Sequence, residues 1–209
     1  MFQNTISIYP WLNFPQITQK CDLAEVIMEF CKRESANIKD GDILCIASKI
    51  VSKSQELFID LNTIQPSELA LRIHHKVSRK DPRIIQLIIN QTRDLAGKRL
   101  QISHNFIGGW LPNGLFLTSA GVDKVDENTA IILPKDCDEI AEQIEEKLYE
   151  KTGKRVAIVI TDSDGRIDKK GATQIAVGLY GINGLRKTQS DRKTSIETIC
   201  DMLAASAGL

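Results

Sequence analysis

The chain has 209 residues, enough for one large domain or two small ones around a real core. Apolar residues make up 42% and charged residues 26%, the balance of an ordinary globular chain, and no run approaches the ~18 apolar residues of a membrane-spanning helix. Lysine plus arginine and aspartate plus glutamate both number 27, so a net charge of zero argues against an overall electrostatic grip on nucleic acid or an anionic membrane.

The opening stretch, MFQNTISIYPWLNFPQ, has no charged leader and no long apolar run, so it is not expected to act as a secretory signal. Cys21, Cys31, Cys45, Cys137 and Cys200 are odd in number, scattered and never spaced C-x-x-C. Neither a disulfide framework nor a thiolate zinc site is expected, and reduced thiols place the chain in the cytoplasm. There is no internal repeat, low-complexity run or polar linker. One intimately packed α/β unit over residues 1–209 is expected, with a lobe formed by its middle helices.

Pro10 and Pro15 bracket an irregular segment containing Trp11 and Phe14. Asp22 caps a helix to about Ala36, with Leu23, Val26, Ile27, Phe30 and Cys31 on one face. Ile43 to Ala47 reads as a buried strand, and Ser48 to Lys53 follow its end. Pro66-Ser67-Glu68 opens a second helix. A basic patch from His74 to Lys80 leads into Asp81-Pro82, the start of a third helix through about Thr92.

Arg99 to Phe106 reads as a strand. Pro112-Asn113-Gly114 marks a turn joining Ile107–Leu111 to Leu115–Ser119 as a hairpin. Ala130 to Leu133 is a short strand, and Cys137 to Lys151 an amphipathic helix ended by Thr152-Gly153. Val156 to Ile160, five consecutive apolar residues, is a core strand. Ala172 to Leu179 is another, and a last helix runs from about Ser195 to the C-terminus.

Three strand ends offer residue types suited to chemistry, each with a plainer structural alternative. After Ile160 come Thr161, Asp162, Ser163, Asp164, Gly165 and Arg166. Oxygen donors at the carboxyl end of a core strand line sites, and Asp162 and Ser163 suit Mg²⁺ or Mn²⁺. The plainer alternative makes Asp162 and Asp164 turn formers and Arg166 a surface cation. The spacing is not a calcium loop: Gly165 falls at position four and Thr173 at position twelve, where an EF-hand needs Gly at six and Glu at twelve.

Ser119-Ala120-Gly121-Val122-Asp123 ends the hairpin, so Asp123 either converges with Asp162 on one cation or simply closes a strand. Ser48-Lys49-Ile50-Val51-Ser52-Lys53 either offers lysines and hydroxyls to phosphate oxygens or forms a solvated edge. Neither a P-loop nor a G-x-G-x-x-G turn is present. His74, His75 and His104 lack acidic or thiol partners at ligand spacing, and Trp11 and Trp110 read as packing residues.

In order, SKIVSK, KDPRIIQLI, NGLFLTSAGVD, VAIVITDSDGR, IAVGLYGINGLR and IETICDMLAASAGL resemble the coenzyme F-420 glutamyl ligases (F420-0:γ-glutamyl ligases) from about Pro10 to Leu209. The resemblance implies a mixed α+β fold with mixed sheets flanked by helices, and a homodimer. It also implies GTP-dependent (or ATP-dependent) amide formation between L-glutamate and a cofactor carboxylate, that of a coenzyme F-420 precursor or of folate. Carried over, the Mn²⁺ or Mg²⁺ ligands are Asp123, Asp162 and Ser163. The nucleotide contacts are Phe14, Pro15, Gln16, Ile17, Ser48, Lys49, Lys53 and Asp126. No side-chain nucleophile is implied.

The family's Asn residues stand as Ser119 and Asp126 here, its Thr as Ser163, and a Glu as Gln55. The loop between Gly184 and Ser195 is shorter than the family's, and its glycine-rich C-terminal segment is expected to be missing. Those differences define the alternative: a degenerate member that binds metal or nucleotide, or acts as an interaction protein, without ligating.

Overall fold

The computed structural model describes residues 6–168, 170–190 and 193–208. The reading of the first five residues, the end of the last helix at Leu209, and positions 191–192 of the shortened loop lie outside the described residues. In chain order the first elements are α1 (Leu23–Arg33), β1 (Ile43–Ala47), α2 (Ser48–Ser54), β2 (Phe58–Asp60), α3 (Glu68–His74), α4 (Pro82–Thr92), β3 (Leu100–Ser103), β4 (Phe106–Trp110) and β5 (Phe116–Thr118). Then come β6 (Val122–Lys124), β7 (Thr129–Ile132), α5 (Cys137–Thr152), β8 (Ala157–Gly165), β9 (Ala172–Tyr180), β10 (Leu185–Ser190), β11 (Lys193–Thr198) and α6 (Ile199–Ala207). The fold is mixed α+β, with sheets flanked by helices, and divides into two compact units.

One unit gathers the chain up to Ala47, Asp136–Thr161 and the segment from Gln174 onward. Its sheet has the order β1-β8-β9, with β1 parallel to β8 and Ile43 opposite Ala157. Ala157 to Thr161 are all buried because β8 is the central strand. The expectation of a buried β1 is corrected: at the sheet edge only Ile46 is buried, and Ile43 is exposed. The Asp22 carboxylate accepts from the Ala24 N–H and caps α1, whose buried face is Leu23, Ala24, Ile27, Phe30 and Cys31. The helix stops at Arg33 rather than Ala36, because Ser35 takes a positive φ of 53°.

Alongside α1 runs α5, tied to it by Lys147–Asp22 and Lys151–Glu25 ion pairs. Its first turn presses against β9: a Cβ on Gly178 would lie 2.5 Å from the Cys137 carbonyl carbon, so only glycine fits. That approach lets Asp138 accept from the Leu179 N–H at 2.7 Å. The last helix begins at Ile199, not Ser195. Thr194, Ile196 and Thr198 alternate β-branched side chains, which favours a strand, and β11 pairs antiparallel with β10. Cys21, Cys31, Cys45 and Cys200 are free thiols.

The other unit holds Ser48–Lys135 and Asp162–Thr173. Its core helix is α4: Asp81 caps the N-terminus, Pro82 fixes the first turn, and Arg93 ends it in a left-handed conformation. Ile84, Ile85, Leu87, Ile88 and Ile89 are all buried, so α4 is covered on nearly every side, by α3, β4 and β6 among others. Two antiparallel sheets surround it, β2-β7-β6 and β3-β4-β5. The expected β4–β5 hairpin is present, with Trp110 opposite Phe116. The single strand expected over Arg99–Phe106 is instead two strands, because Asn105 turns the chain at φ 57° between β3 and β4. Among the described residues no helix is long and apolar enough to cross a membrane.

Candidate functional site

Ser48-Lys49-Ile50-Val51-Ser52-Lys53-Ser54 forms one short helix, where the sequence suggested only a strand end. Ser48, Val51 and Ser52 fall three and four residues apart and are buried on one face. The reading of this segment as a solvated edge is therefore corrected. Ser48 Oγ donates to Asp162 Oδ1 at 2.7 Å, which ties the start of α2 to the end of β8. Lys49, exposed on the next position, pairs with Asp123 at 3.0 Å.

Asp123 reaches this point through a strained turn. Ser119 and Ala120 have φ of 58° and 49°, a left-handed pair without glycine, and Gly121 follows at 68°. Left-handed backbone costs a non-glycine residue about 1–2 kcal/mol, so the surrounding packing must hold it. Ala120 is wholly buried and the turn packs on α4 and β4. The turn leads into β6, whose Asp123 pairs with Lys49, the residue next to Asp162's partner Ser48.

Asp164 fastens the two segments together. Its Oδ1 accepts from the Thr118 N–H at 2.8 Å and from the Thr118 hydroxyl at 2.9 Å, while the Gly165 N–H donates to that hydroxyl at 3.1 Å. Of the two aspartates read as possible turn formers, Asp164 is the structural clamp. Asp162 is the one facing other charges.

Burial pushes the Asp162 carboxyl above its ordinary value. The Ser48 hydroxyl pulls it down, Asp123 and Asp164 push it up again by repulsion, and the net direction is upward. An acid in this setting is relieved by a cation. Among the described residues no group of three or more His, Cys, Asp or Glu side chains is arranged to hold a metal. The donors at hand are two carboxylates and the exposed Ser163 hydroxyl, all hard oxygens. That set suits Mg²⁺ or Mn²⁺, which keep waters and use one or two carboxylates together with substrate phosphates. The residues fit such an ion.

Lys53 is half-buried at the end of α2. Asp126 is exposed and caps the turn between β6 and β7, accepting from the Asn128 N–H at 2.9 Å; that hydrogen bond lowers its carboxyl. Phe14, Pro15, Gln16 and Ile17 belong to the other unit, where Phe14 and Trp11 pack on Phe30 and Ile17 is buried. His74 is held by backbone: its Nδ1–H donates to the Lys80 carbonyl at 2.8 Å.

Lys80 is the residue that the sequence did not single out. It sits just before the α4 cap, half-buried, and Asp123 is the acidic group whose charge acts on it. Burial and neighbouring Arg79 lower its ammonium from the usual range, and Asp123 partly restores it. The available signal was a lysine at the edge of a basic patch, next to a strong helix cap.

The family model described as F420-0:Gamma-glutamyl ligase matches residues 12–209. A coenzyme F420:L-glutamate ligase of Methanothermobacter thermautotrophicus is similar at 33% identity, over 98% of this chain and 82% of that protein. The protein of the same description from Methanocaldococcus jannaschii is 35% identical, over 91% of this chain and 76% of its own length. One from Archaeoglobus fulgidus is 28% identical over 98% of this chain and 81% of its own.

Proposed function

From the premise that this chain belongs to the F420-0:gamma-glutamyl ligase family, which supports a ligase-type role in general, we propose that it adds L-glutamate by an amide bond to a cofactor carboxylate, using a nucleoside triphosphate and a divalent cation. The acceptor is the carboxylate of a coenzyme F-420 precursor or of folate. The observation that carries this reading is the convergence of Asp162 and Asp123 in one unit, with Ser48 on the first and Lys49 on the second.

The chemistry is a two-step acyl transfer. An acceptor carboxylate oxygen attacks the γ-phosphorus of GTP or ATP, the bond to the β-phosphate oxygen breaks, and the nucleoside diphosphate leaves. The glutamate amine then attacks the acyl carbon, phosphate departs with the electron pair of the C–O bond, and the amine loses a proton. Asp123, Asp162 and Ser163 would hold the Mg²⁺ or Mn²⁺ ion, which would supply Lewis-acid stabilisation of phosphoryl charge.

The chain's own residues do the rest. Ser48 fixes the Asp162 carboxylate by hydrogen bond. Lys49 and Lys53, on successive turns of α2, offer positive charge to phosphate oxygens. No side-chain nucleophile is required, because the acceptor carboxylate and the glutamate amine are the attacking groups. The family's homodimer is part of this proposal and is checked by the mass of the purified protein in solution.

The test is glutamate-dependent phosphate release. Purified protein with Mn²⁺, GTP or ATP, L-glutamate and each acceptor in turn is expected to release phosphate only when glutamate and one acceptor are both present. No release with any combination refutes the ligase reading; nucleotide and Mn²⁺ binding without release assigns the chain to the binding-only alternative.

A further inference from the structure

Thr118 and Asp164 join the two chain segments that carry the candidate cation ligands. Thr118 closes β5, five residues before Asp123, and Asp164 follows Asp162 by two. Asp164 Oδ1 accepts from the Thr118 N–H at 2.8 Å and lies 2.9 Å from the Thr118 hydroxyl. That hydroxyl stands 2.8 Å from the Gly165 carbonyl and accepts from the Gly165 N–H at 3.1 Å. Its one proton is therefore shared between two acceptors while its oxygen takes a further bond. Both residues are half-buried.

The join grips backbone on both sides. β1 accompanies β8 as far as Thr161, and the residues from Asp162 onward belong to the unit that holds Thr118. Ser119 and Ala120 follow Thr118 directly in left-handed conformations, and such backbone persists only where its surroundings hold it. Thr118 is thus the fixed end from which the strained turn starts toward Asp123, and Ser163 alone separates Asp162 from Asp164. Ser48 and Lys49 reach Asp162 and Asp123 at the tips of their side chains. The lock instead holds main-chain groups, the Thr118 N–H and the N–H and carbonyl of Gly165.

Resting on the metal-site reading above, we propose that Thr118 and Asp164 are positioning residues of this site: their lock fixes the separation of Asp123 and Asp162 and thereby selects the divalent cation that the two can share. Mg²⁺ demands near-ideal octahedral geometry with oxygens at about 2.0–2.1 Å, whereas Ca²⁺ accepts more oxygens at about 2.3–2.6 Å in looser arrangements. Two carboxylates held at one spacing favour the demanding ion. The same carboxylates on loosened segments lose that preference, because the larger ion tolerates the change and the smaller one does not.

The experiment is calorimetric titration of Mn²⁺ without nucleotide, with Mg²⁺ and Ca²⁺ read by competition against it, and melting temperatures verify that each protein folds. Thr118→Val removes the hydroxyl and keeps a β-branched residue suited to a strand. Asp164→Ala breaks the lock from the other side and carries the test where Thr118→Val does not fold. Thr118→Ser and Asp164→Asn keep the bonding oxygens. Removing a partner one step out from a metal ligand costs about 10–100-fold in affinity. Thr118→Val is therefore expected to weaken Mn²⁺ and Mg²⁺ by about tenfold or more with little change for Ca²⁺, and Asp164→Ala to shift the preference the same way. Thr118→Ser and Asp164→Asn are expected to keep the wild-type preference. An unchanged preference between Mn²⁺ and Ca²⁺ in the broken lock overturns the proposal, even where all affinities fall together with stability. So does an Asp164→Asn variant that loses as much as Asp164→Ala, since the effect then belongs to the charge of Asp164. A wild type that binds none of the three ions overturns the proposal together with the metal-site reading. A wild type that binds them but releases no glutamate-dependent phosphate removes the ligase reading alone, and the same titrations still decide the lock.

Discussion

Ser48 Oγ and Asp162 Oδ1 are 2.7 Å apart, and this bond holds in place a carboxylate that burial works to neutralise. The Asp162 carboxyl is raised in the folded protein above its unfolded value, so the folded state binds that proton more tightly than the unfolded one. For a raised acid, stability increases as pH falls through the folded pKa and is at its lowest above it. Asp162→Asn removes the penalty and keeps an oxygen for Ser48. It is expected to raise the melting temperature of the metal-free protein by a few degrees, since ~1 kcal/mol corresponds to about 2–4 °C at this size. The same variant is expected to lose Mn²⁺ binding. Calorimetry on both proteins checks the pair of effects, and a variant that still binds Mn²⁺ as wild type does removes Asp162 from the ligand set.

The hydrogen bond itself is tested by Ser48→Ala. Ser48 favours the ionised form of Asp162, and a metal ligand must be ionised. Wild-type Mn²⁺ affinity is therefore expected to fall as pH drops through the raised Asp162 pKa. In Ser48→Ala that fall is expected at higher pH, with affinity unchanged well above it. A pH series of titrations reads the displacement directly, and coincident profiles mean that the hydroxyl does not tune the acid.

Lys49 and Asp123 form an ion pair with both side chains about half exposed, at 51% and 53%. Pairs of this kind contribute ~0–1 kcal/mol, because water and salt screen them. Lys49→Gln is thus expected to move the melting temperature by no more than about 3 °C. It frees Asp123, so Mn²⁺ affinity is expected to hold or rise while GTP affinity falls. Loss of Mn²⁺ binding in this variant contradicts the assignment of Lys49 to phosphate rather than to metal-site architecture.

The long elements were legible because periodicity and caps speak locally. Asp22 before Leu23, Asp81-Pro82 before Arg83, and Gly153 after Thr152 each mark a helix end that the structure shows. The run from Val156 likewise identified β8. The three-residue strands β2 and β6 carry too few side chains for a period, and β11 was absorbed into the helix that follows it. Within the site, the aspartates were visible as residues at strand ends, but their different tasks were not. Asp164 clamps Thr118, forty-six positions away, and no spacing rule reports that bond.

Gly121 is where backbone strain meets packing. Its φ is 68°, and a Cβ there would stand 2.7 Å from Leu133 Cβ, itself a buried side chain. Gly121→Ala therefore meets both a left-handed penalty and a clash with atoms close to the main chain. A loss of roughly 2–4 kcal/mol is expected. Relief of the clash moves β6, so Mn²⁺ affinity is expected to fall with stability, although the residue touches no ligand. Urea unfolding with a parallel Mn²⁺ titration checks both, and a stable Gly121→Ala protein with intact affinity shows that the turn does not set Asp123.

Glu145 on α5 is the most deeply buried charge among the described residues, 1% exposed, and its two oxygens serve different partners. Oε2 accepts from Arg155 Nη1 at 2.8 Å, and Oε1 from the Val156 N–H at 3.4 Å, at the start of β8. Arg155 also stacks on Tyr149, its guanidinium 3.5 Å from the ring centre. Removing the two partners is not symmetric. Arg155→Ala strands a buried carboxylate, with an expected cost of about 3–5 kcal/mol less whatever the half-exposed arginine already loses to solvent. Glu145→Gln leaves an amide oxygen for the Val156 N–H and an arginine that still reaches water and Tyr149, so about 1–2 kcal/mol is expected. Denaturant curves on the two variants check the order. Equal costs would mean that solvent already reaches Glu145 enough to compensate it, and that the pair does not anchor α5 to β8.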